Sequence, residues 1–330
     1  MTKTKRIGVL TSGGDSQGMN ACLKTIITMA ERNGYEVVAF LGGYGGLLYD
    51  KYRIVTTKEA DLYFSFGGSF ISSGRCPEFM EAKNKIIAKK VYDKHKLEAL
   101  IVLGGDGSIK GANDLVEYGF NVVVCPCTID NDVYCTDCCI GFDTAVNNAV
   151  NAIDNIKQTM KTNGRILIAE TMGRKCGEIA IHAGICSEAD IIMIPENKQT
   201  IEKIVREVGK QLKVGNTSPV VVVTEHQVDI NYLAKQMEEA HKNECKAIVV
   251  GYVQRGGSPT VQDKLLAVRM GVAAMNSVLE RNFGNVISLI KDEIKLIPFE
   301  KAIKAKYVFD TELWNTFLNL KRYKTEKKQK

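Results

Sequence analysis

Ala99-Leu-Ile-Val-Leu-Gly-Gly-Asp-Gly-Ser108 decides how the rest of the chain is read. Its five leading apolar residues are too few for a helix and apolar at every position, the mark of a strand covered on both faces. The glycine-rich turn after them opens a stretch with helical spacing. Strand, turn and helix in that order build a parallel sheet, because parallel neighbours need a crossover between them. The pattern recurs in both directions along the chain. Strands are predicted at 6–10, 36–41, 99–103, 121–125, 165–170, 190–194, 220–224, 247–250 and 286–290. Helices are predicted at 19–33, 79–95, 145–161, 201–213, 231–243 and 261–281. Nine such strands in 330 residues imply an α/β protein of two doubly wound, Rossmann-like domains with mainly parallel sheets. No low-complexity linker marks a join, so the domains are expected to pack closely.

Charged residues make up 25% and hydrophobic ones 45%, a globular balance that excludes a disordered or fibrous chain. The formal net charge is +6, yet the last ten residues, Lys321 to Lys330, hold six bases and one acid. The body is therefore nearly neutral, too even for a nucleic-acid-binding face, and the tail reads as a solvated end. No apolar run approaches the ~20 residues that span a bilayer, and the first strand is too short for a signal segment. A cytoplasmic protein with no nucleic-acid or membrane partner is expected. Its ten cysteines then read as reduced thiols. Five crowd together at Cys125, Cys127, Cys135, Cys138 and Cys139, but no histidine is near and no second CxxC exists, so zinc is not expected.

Polar and glycine-rich segments follow the predicted strands. They are Thr11-Ser-Gly-Gly-Asp15, Gly104-Gly-Asp-Gly-Ser108, Thr128-Ile-Asp-Asn-Asp132, Met172-Gly-Arg174, Glu225-His226 and Tyr252-Val-Gln-Arg-Gly-Gly-Ser258. Ligands of an open α/β sheet bind beyond the carboxyl ends of its strands, so six such segments predict one large polar cleft. Gly13-Gly14 and the 104–108 loop each precede a helix, where backbone amides and the helix dipole favour an anion such as phosphate. Taken singly, either loop reads equally well as a tight turn. The P-loop, protein-kinase, dinucleotide, serine-hydrolase and zinc-protease signatures have no match. Asp106 between two glycines suits Mg2+ held against a polyphosphate. Asp130 and Asp132, two residues apart, can divide an acid–base role between them. Arg75, Arg165, Arg174 and Arg255 add donors that suit phosphoryl oxygens. Together these residues read as a phosphoryl-transfer site.

With Gly18-Met-Asn20, Arg75-Cys-Pro-Glu-Phe79 and Gln254-Arg-Gly-Gly-Ser-Pro259, the ordered motifs resemble 6-phosphofructokinases of the bacterial, ATP-dependent type over residues 6–300. The resemblance implies the phosphofructokinase fold. It implies an ATP-binding domain at 1–140 plus 253–304 and a sugar-phosphate-binding domain at 141–252 plus 305–330. It also implies a glycolytic kinase that takes ATP as co-substrate and Mg2+ as cofactor, and converts fructose 6-phosphate to fructose 1,6-bisphosphate. By resemblance Asp130 is the general base, and Asp132, Arg174 and Thr128 complete the catalytic group. Gly14, Arg75, Cys76, Gly105, Asp106, Gly107 and Ser108 hold ATP, with Asp106 on the metal. Thr128, Ile129, Asp130, Met172, Gly173, Arg174, Glu225, Tyr252, Val253, Gln254 and Arg255 hold the sugar phosphate. Arg165 and Lys246 reach the 6-phosphate from a neighbouring subunit, which implies a homotetramer.

Some positions depart from the family pattern. Pyrophosphate-dependent relatives carry Asp at position 107 and Lys at position 127, so Gly107 favours ATP, while Cys127 matches neither type and is expected to narrow the site. Lys246 stands where the family has Arg, and Tyr252 where it often has His, so a looser grip on the 6-phosphate is expected. The positions of the family's effector pocket, among them Lys24, Thr28, Lys157, Glu188 and Asn216, have lost most of their cations. Little response to ADP or phosphoenolpyruvate is expected. The alternatives are a pyrophosphate-dependent enzyme and a non-catalytic binding subunit. The joint presence of Arg75, Asp106, Asp130, Asp132 and Arg174 argues against the second. Elsewhere His95 and His241 read as solvated, His182 as a packed core residue, and Trp314 with Phe317 as packing of a C-terminal helix.

Overall fold

The computed structural model describes residues 5–320, so the basic tail read above as a solvated end lies outside the described residues. The chain divides into unit 1, up to Thr144 and again Arg255–Tyr307, and unit 2, Ala145–Gln254 and again from Val308. Unit 1 opens with β1 (Lys5–Ser12), α1 (Met19–Arg32), β2 (Tyr35–Phe40), α2 (Tyr44–Leu48), β3 (Tyr52–Val55), α3 (Thr57–Ala60) and β4 (Ser73–Gly74). It continues through α4 (Ala82–Lys94), β5 (Leu97–Gly104), α5 (Asp106–Glu117), β6 (Val122–Pro126) and the start of α6 (Phe142–Asn163). Unit 2 holds β7 (Ile166–Thr171), α7 (Glu178–Cys186), β8 (Ile191–Met193), α8 (Ile201–Lys213), β9 (Val220–Thr224), α9 (Ile230–His241) and β10 (Cys245–Val249). Unit 1 resumes with α10 (Val261–Leu279), β11 (Asn285–Ile290), β12 (Glu293–Pro298) and α11 (Phe299–Ala302), and α12 (Thr311–Leu320) returns to unit 2.

Alternation along the strands fixes the layers. Ile7 and Val9 of β1, Ile101 and Leu103 of β5, and Val123 and Cys125 of β6 share a core with Leu23 and Ile26 of α1 and Met270 of α10. Their neighbours Leu10, Leu100, Val102, Val122 and Val124 join Leu47 of α2, Val91 of α4 and Ile109 of α5 in a second core. A strand with period-two side chains and no polar position needs helices on both faces, and this sheet has them. Its order is β12-β11-β6-β5-β1-β2-β3, with β4 beside the end of β1. All its pairs are parallel except β2 with β3 and β11 with β12. The unit 2 sheet, β10-β7-β9-β8, is parallel throughout. There Ile168, Val221 and Val223 pack on Ile204 and Val208 of α8 and on Leu233 and Met237 of α9.

The differences from expectation are local. β3 and β12 are additional strands at the edges of the sheet, with alternate residues exposed. They lack the continuous apolar run that marks a covered strand. The helix expected at 79–95 divides into a 3₁₀ turn, Pro77–Met80, and α4, because Glu81 between them is extended. Asn84 fastens that turn by donating to Glu78 O at 2.7 Å. His95, expected to be solvated, is 4% exposed. Tyr52 covers it edge-on at 4.2 Å between centroids, and its Nε2 lies 2.6 Å from Asp50 Oδ1. His241 is likewise half-buried, with Nε2 2.8 Å from Val205 O. His182, expected in the core, keeps 35% of its side chain exposed, with Nδ1 2.8 Å from Glu178 O one helical turn back. Trp314 and Phe317 do pack together, 5.3 Å between centroids.

Asp50 ties β3's neighbourhood to α4, since Lys94 Nζ donates to its second oxygen at 2.5 Å. Burial acts to raise the Asp50 carboxyl, but the hydrogen bonds from Lys94 and His95 outweigh it and hold the group below its ordinary value. A carboxyl depressed in the folded chain contributes fully above the unfolded value of ~4 and loses that contribution as pH falls through the depressed one. Asp50→Asn is therefore expected to cost about 1 kcal/mol at pH 7, with the gap to the wild type closing below about pH 4. Urea unfolding at both pH values checks it.

Candidate active site

Three neighbouring parallel strands end side by side. Ser12 pairs with Gly104 and Gly104 with Pro126, so the segments after β1, β5 and β6 emerge about 4.8 Å apart. Cys127 N donates to Gly104 O at 3.0 Å, and Ser108 Oγ to Ser12 O at 3.3 Å. Gly14 lies under Arg255, whose Nη1 would stand 2.7 Å from any Cβ placed there. Arg255 donates to Asp15 O at 2.7 Å and lies 3.4 Å from Asp15 Oδ1. Two segments far apart in sequence are thus joined at the first glycine turn. A cleft of about 390 Å³ opens there, lined by Asp15, Phe66, Gly67, Arg255, Gly257 and Ser258.

α5 starts at Asp106 with Gly105 before it and no side chain capping its amides. Those amides and the helix dipole are left for an anion. Gly107 stands in open space, with no atom within 4 Å of an added Cβ. Packing does not require glycine there, so the missing side chain serves the space beyond the helix end. Ser108 differs: it is 6% exposed and its hydroxyl is turned onto Ser12 O, which makes it a prop of the turn. Asp106 is accessible and pairs with Lys110 Nζ at 2.5 Å. Arg75 is exposed. The neighbouring Cys76 thiol is pushed up to about 11 by burial and by its hydrogen bond with Glu78, so it is neutral near pH 7.

The 127–144 segment carries the other carboxylates. Asp130 is 3% exposed, and its amide donates to Thr128 Oγ1 at 3.2 Å. Asn131, at φ 53°, turns the chain, and its Oδ1 accepts from Cys139 N at 2.9 Å. Burial raises the Asp132 carboxyl, and the negative charge of Asp106 raises it further. Two carboxylates in each other's field, beside an uncapped helix end, fit a divalent cation that shares its shell with phosphate and water. Among the described residues no group of three or more His, Cys, Asp and Glu is placed to hold a metal, so the protein supplies only part of such a shell. Ile129 is 1% exposed and anchors the segment by burial. Cys127 is also 1% exposed and packs in the core with Ile7 and Ile101. Its side chain therefore does not narrow the site, contrary to expectation.

Asp263 of α10 is a residue the motifs did not single out. It is 1% exposed and accepts from Gly141 N at 2.7 Å, Thr144 N at 2.8 Å and Thr144 Oγ1 at 2.5 Å. Thr128 N donates to Ile140 O at 3.1 Å. The segment bearing Asp130 and Asp132 is thus pinned where it leaves β6 and where it enters α6. Thr260 caps α10 by accepting from Asp263 N. The Thr260-x-x-Asp263 spacing is legible as a helix start. That its carboxylate turns to Gly141 is a tertiary fact.

In unit 2 side chains hold a loop by its amides. Met172 N donates to Gln254 Oε1 at 3.3 Å, and Gly173 N and Arg174 N to Glu225 Oε1 at 3.2 and 3.0 Å. Gly177 N donates to Glu196 Oε1 at 2.9 Å, a second contact the motifs did not show. Gly173 and Arg174 have φ of 141° and 54°, and the carboxylate compensates amides that this turn removes from the ladder. Gln254 is fully buried, while Tyr252 and Val253 are 82% and 61% exposed. Arg165 and Lys246 are not with this group. They stand at the amino ends of β7 and β10, so roughly 20 Å of strand separates Arg165 from Met172. Each is paired instead with Glu244, Arg165 Nε at 2.5 Å and Lys246 Nζ at 2.6 Å.

Residues 6–278 match the family model described as phosphofructokinase. The chain is 36% identical over 310 residues to the ATP-dependent 6-phosphofructokinase of Clostridioides difficile, covering 94% of this chain and 97% of that one. It is 38% identical over 312 residues to the enzyme of the same name from Tolumonas auensis, covering 94% and 98%. Among solved structures, the phosphofructokinase of Pichia pastoris in the T-state superposes at TM-score 0.86 and 27% identity. That match covers 97% of this chain and 40% of the longer yeast chain. A pyrophosphate-dependent phosphofructokinase from Marinobacter aquaeolei shares the fold at TM-score 0.84 and 21% identity, covering 97% and 92%.

Removing the Asp263 carboxylate leaves buried amides without an acceptor. Asp263→Ala is expected to cost about 2–5 kcal/mol and to depress turnover by loosening the segment that carries Asp130. Thermal melts and initial rates on the same preparations check both.

Proposed function

The chain belongs to the phosphofructokinase family, and from that premise we propose that it transfers the terminal phosphoryl group of ATP to the 1-hydroxyl of fructose 6-phosphate. The product is fructose 1,6-bisphosphate and the step is glycolytic, which implies a cytoplasmic enzyme. One observation carries the reading. The uncapped amino end of α5, the Asp106–Asp132 pair and the buried Asp130 emerge from three adjacent strand ends.

Asp130 takes the proton of the sugar hydroxyl as its oxygen bonds to phosphorus, and the bond from phosphorus to the β-phosphate oxygen breaks to leave ADP. Gly14, Gly105, Gly107 and the first amides of α5 receive the ATP phosphates, so unit 1 is the nucleotide-binding unit. Arg75 and Arg174 neutralise charge on the moving group. Asp106, supported by Asp132, holds Mg2+, which when bound supplies positive charge to the phosphate oxygens. By resemblance of the motifs, Thr128, Met172, Glu225, Arg255 and the exposed Tyr252 are the sugar contacts. Glu225 holds the loop amides through Oε1, and its Oε2 lies 3.9 Å from His226 Nε2. Arg165 and Lys246 stand farther from Met172 than one sugar phosphate spans. They serve the 6-phosphate of a substrate bound to another copy, and a homotetramer provides that arrangement.

Gly107 favours ATP over pyrophosphate, because the position is open and uncharged next to Asp106. Initial rates with fructose 6-phosphate and Mg2+ are expected with ATP and not with pyrophosphate. Asp130→Ala is expected to lower kcat by about 10²–10⁴-fold. Turnover confined to pyrophosphate, or an Asp130→Ala enzyme of normal rate, refutes the proposal. Gly107→Asp has room to fold, yet is expected to lose at least about tenfold in ATP turnover through like charge at the phosphates. Circular dichroism with the same rate assay separates that loss from misfolding.

A further inference from the structure

β7 and β10 are parallel neighbours in register, with Cys245 opposite Ile166. The residues just before them, Glu244 and Arg165, therefore sit side by side, and Lys246, two residues beyond Glu244, shares its face of the strand. Each oxygen of the Glu244 carboxylate takes one cation: Oε2 lies 2.5 Å from Arg165 Nε and Oε1 2.6 Å from Lys246 Nζ. The side chains are 44%, 31% and 47% exposed in that order, so an anion from solution reaches all three. Two cations converging on two oxygens of one carboxylate present the same geometry to two oxygens of a phosphate.

We propose that Glu244 is an affinity-setting residue, an internal anion that occupies the Arg165–Lys246 pair and is displaced when the 6-phosphate of the sugar binds there. The proposal rests on the reading of that pair as the 6-phosphate site. Its consequence runs against the usual expectation that deleting a charged neighbour weakens a site. The carboxylate competes with the substrate, so removing its charge tightens binding. Two exposed ion pairs of ordinary strength set the gain at about three- to tenfold.

Steady-state kinetics of the full-length oligomer test this with three variants. Glu244→Gln is expected to lower KM for fructose 6-phosphate about three- to tenfold while KM for ATP holds. Glu239→Gln removes a carboxylate of unit 2 that lies 4.0 Å from Lys235 and touches neither cation, and it is expected to leave both constants unchanged. Lys246→Gln is expected to raise KM for fructose 6-phosphate. An unchanged or raised KM in Glu244→Gln, with Lys246→Gln raised, overturns the proposal and leaves the site reading standing; Glu244 then orients the cations. An equal fall in Glu239→Gln overturns it in favour of overall charge. An unchanged KM in Lys246→Gln removes the 6-phosphate reading itself, and the proposal with it.

Discussion

Parallel pairing with a fixed register is the constraint on which the rest depends. Strands that run the same way must end at the same edge, and the pairing of Ser12, Gly104 and Pro126 sets how near their loops lie. The glycine turn after β1, the uncapped start of α5 and the 128–132 segment then emerge side by side, although their strands are far apart in the sequence. The same constraint separates residues. In unit 2 the loop amides held by Glu225 and Gln254 lie at the carboxyl edge, while Arg165 and Lys246 lie at the amino edge. No adjustment of rotamers closes that gap within one chain.

Backbone that leaves a sheet needs other partners for its amides, and in this protein buried or half-buried carboxylates provide them. Asp263 accepts from Gly141 and Thr144, Glu225 from Gly173 and Arg174, and Glu196 from Gly177. Such acceptors hold a loop by charge-assisted bonds, which are stronger than neutral ones. Asp263 shows what the arrangement costs. Burial raises its carboxyl, and the bonds from Thr144 and Gly141 oppose that shift.

Two glycines separate packing from function. At position 14 a side chain would meet the Arg255 guanidinium, which would have to shift to make room. At position 107 nothing stands in the way. The first glycine explains how Arg255 reaches the turn after β1. The second has no internal explanation, since the space beside it is open at the uncapped end of α5.

Much was legible in the sequence because it is local. Apolar runs, helical spacing and glycine turns specify element type within a few residues, and the order of motifs is enough to indicate the family and its reaction. The edge strands β3 and β12 escaped because one open side removes the apolar run. The direction of a side chain was not legible either. Cys127 directly precedes the Thr128–Asp132 motif yet faces the core, since strand alternation sends it there. His95 was read from the helix it ends, whereas Tyr52 and Asp50, more than 40 residues earlier, bury it. Glu244 carries no motif, and Asp263 only that of a helix start. Their contacts arise only where distant segments meet, Arg165 for the first and Gly141 for the second. Sequence determined which chemistry the chain contains, and tertiary contact decided which of those groups share a site, because proximity between strand ends is a property of register and not of spacing along the chain.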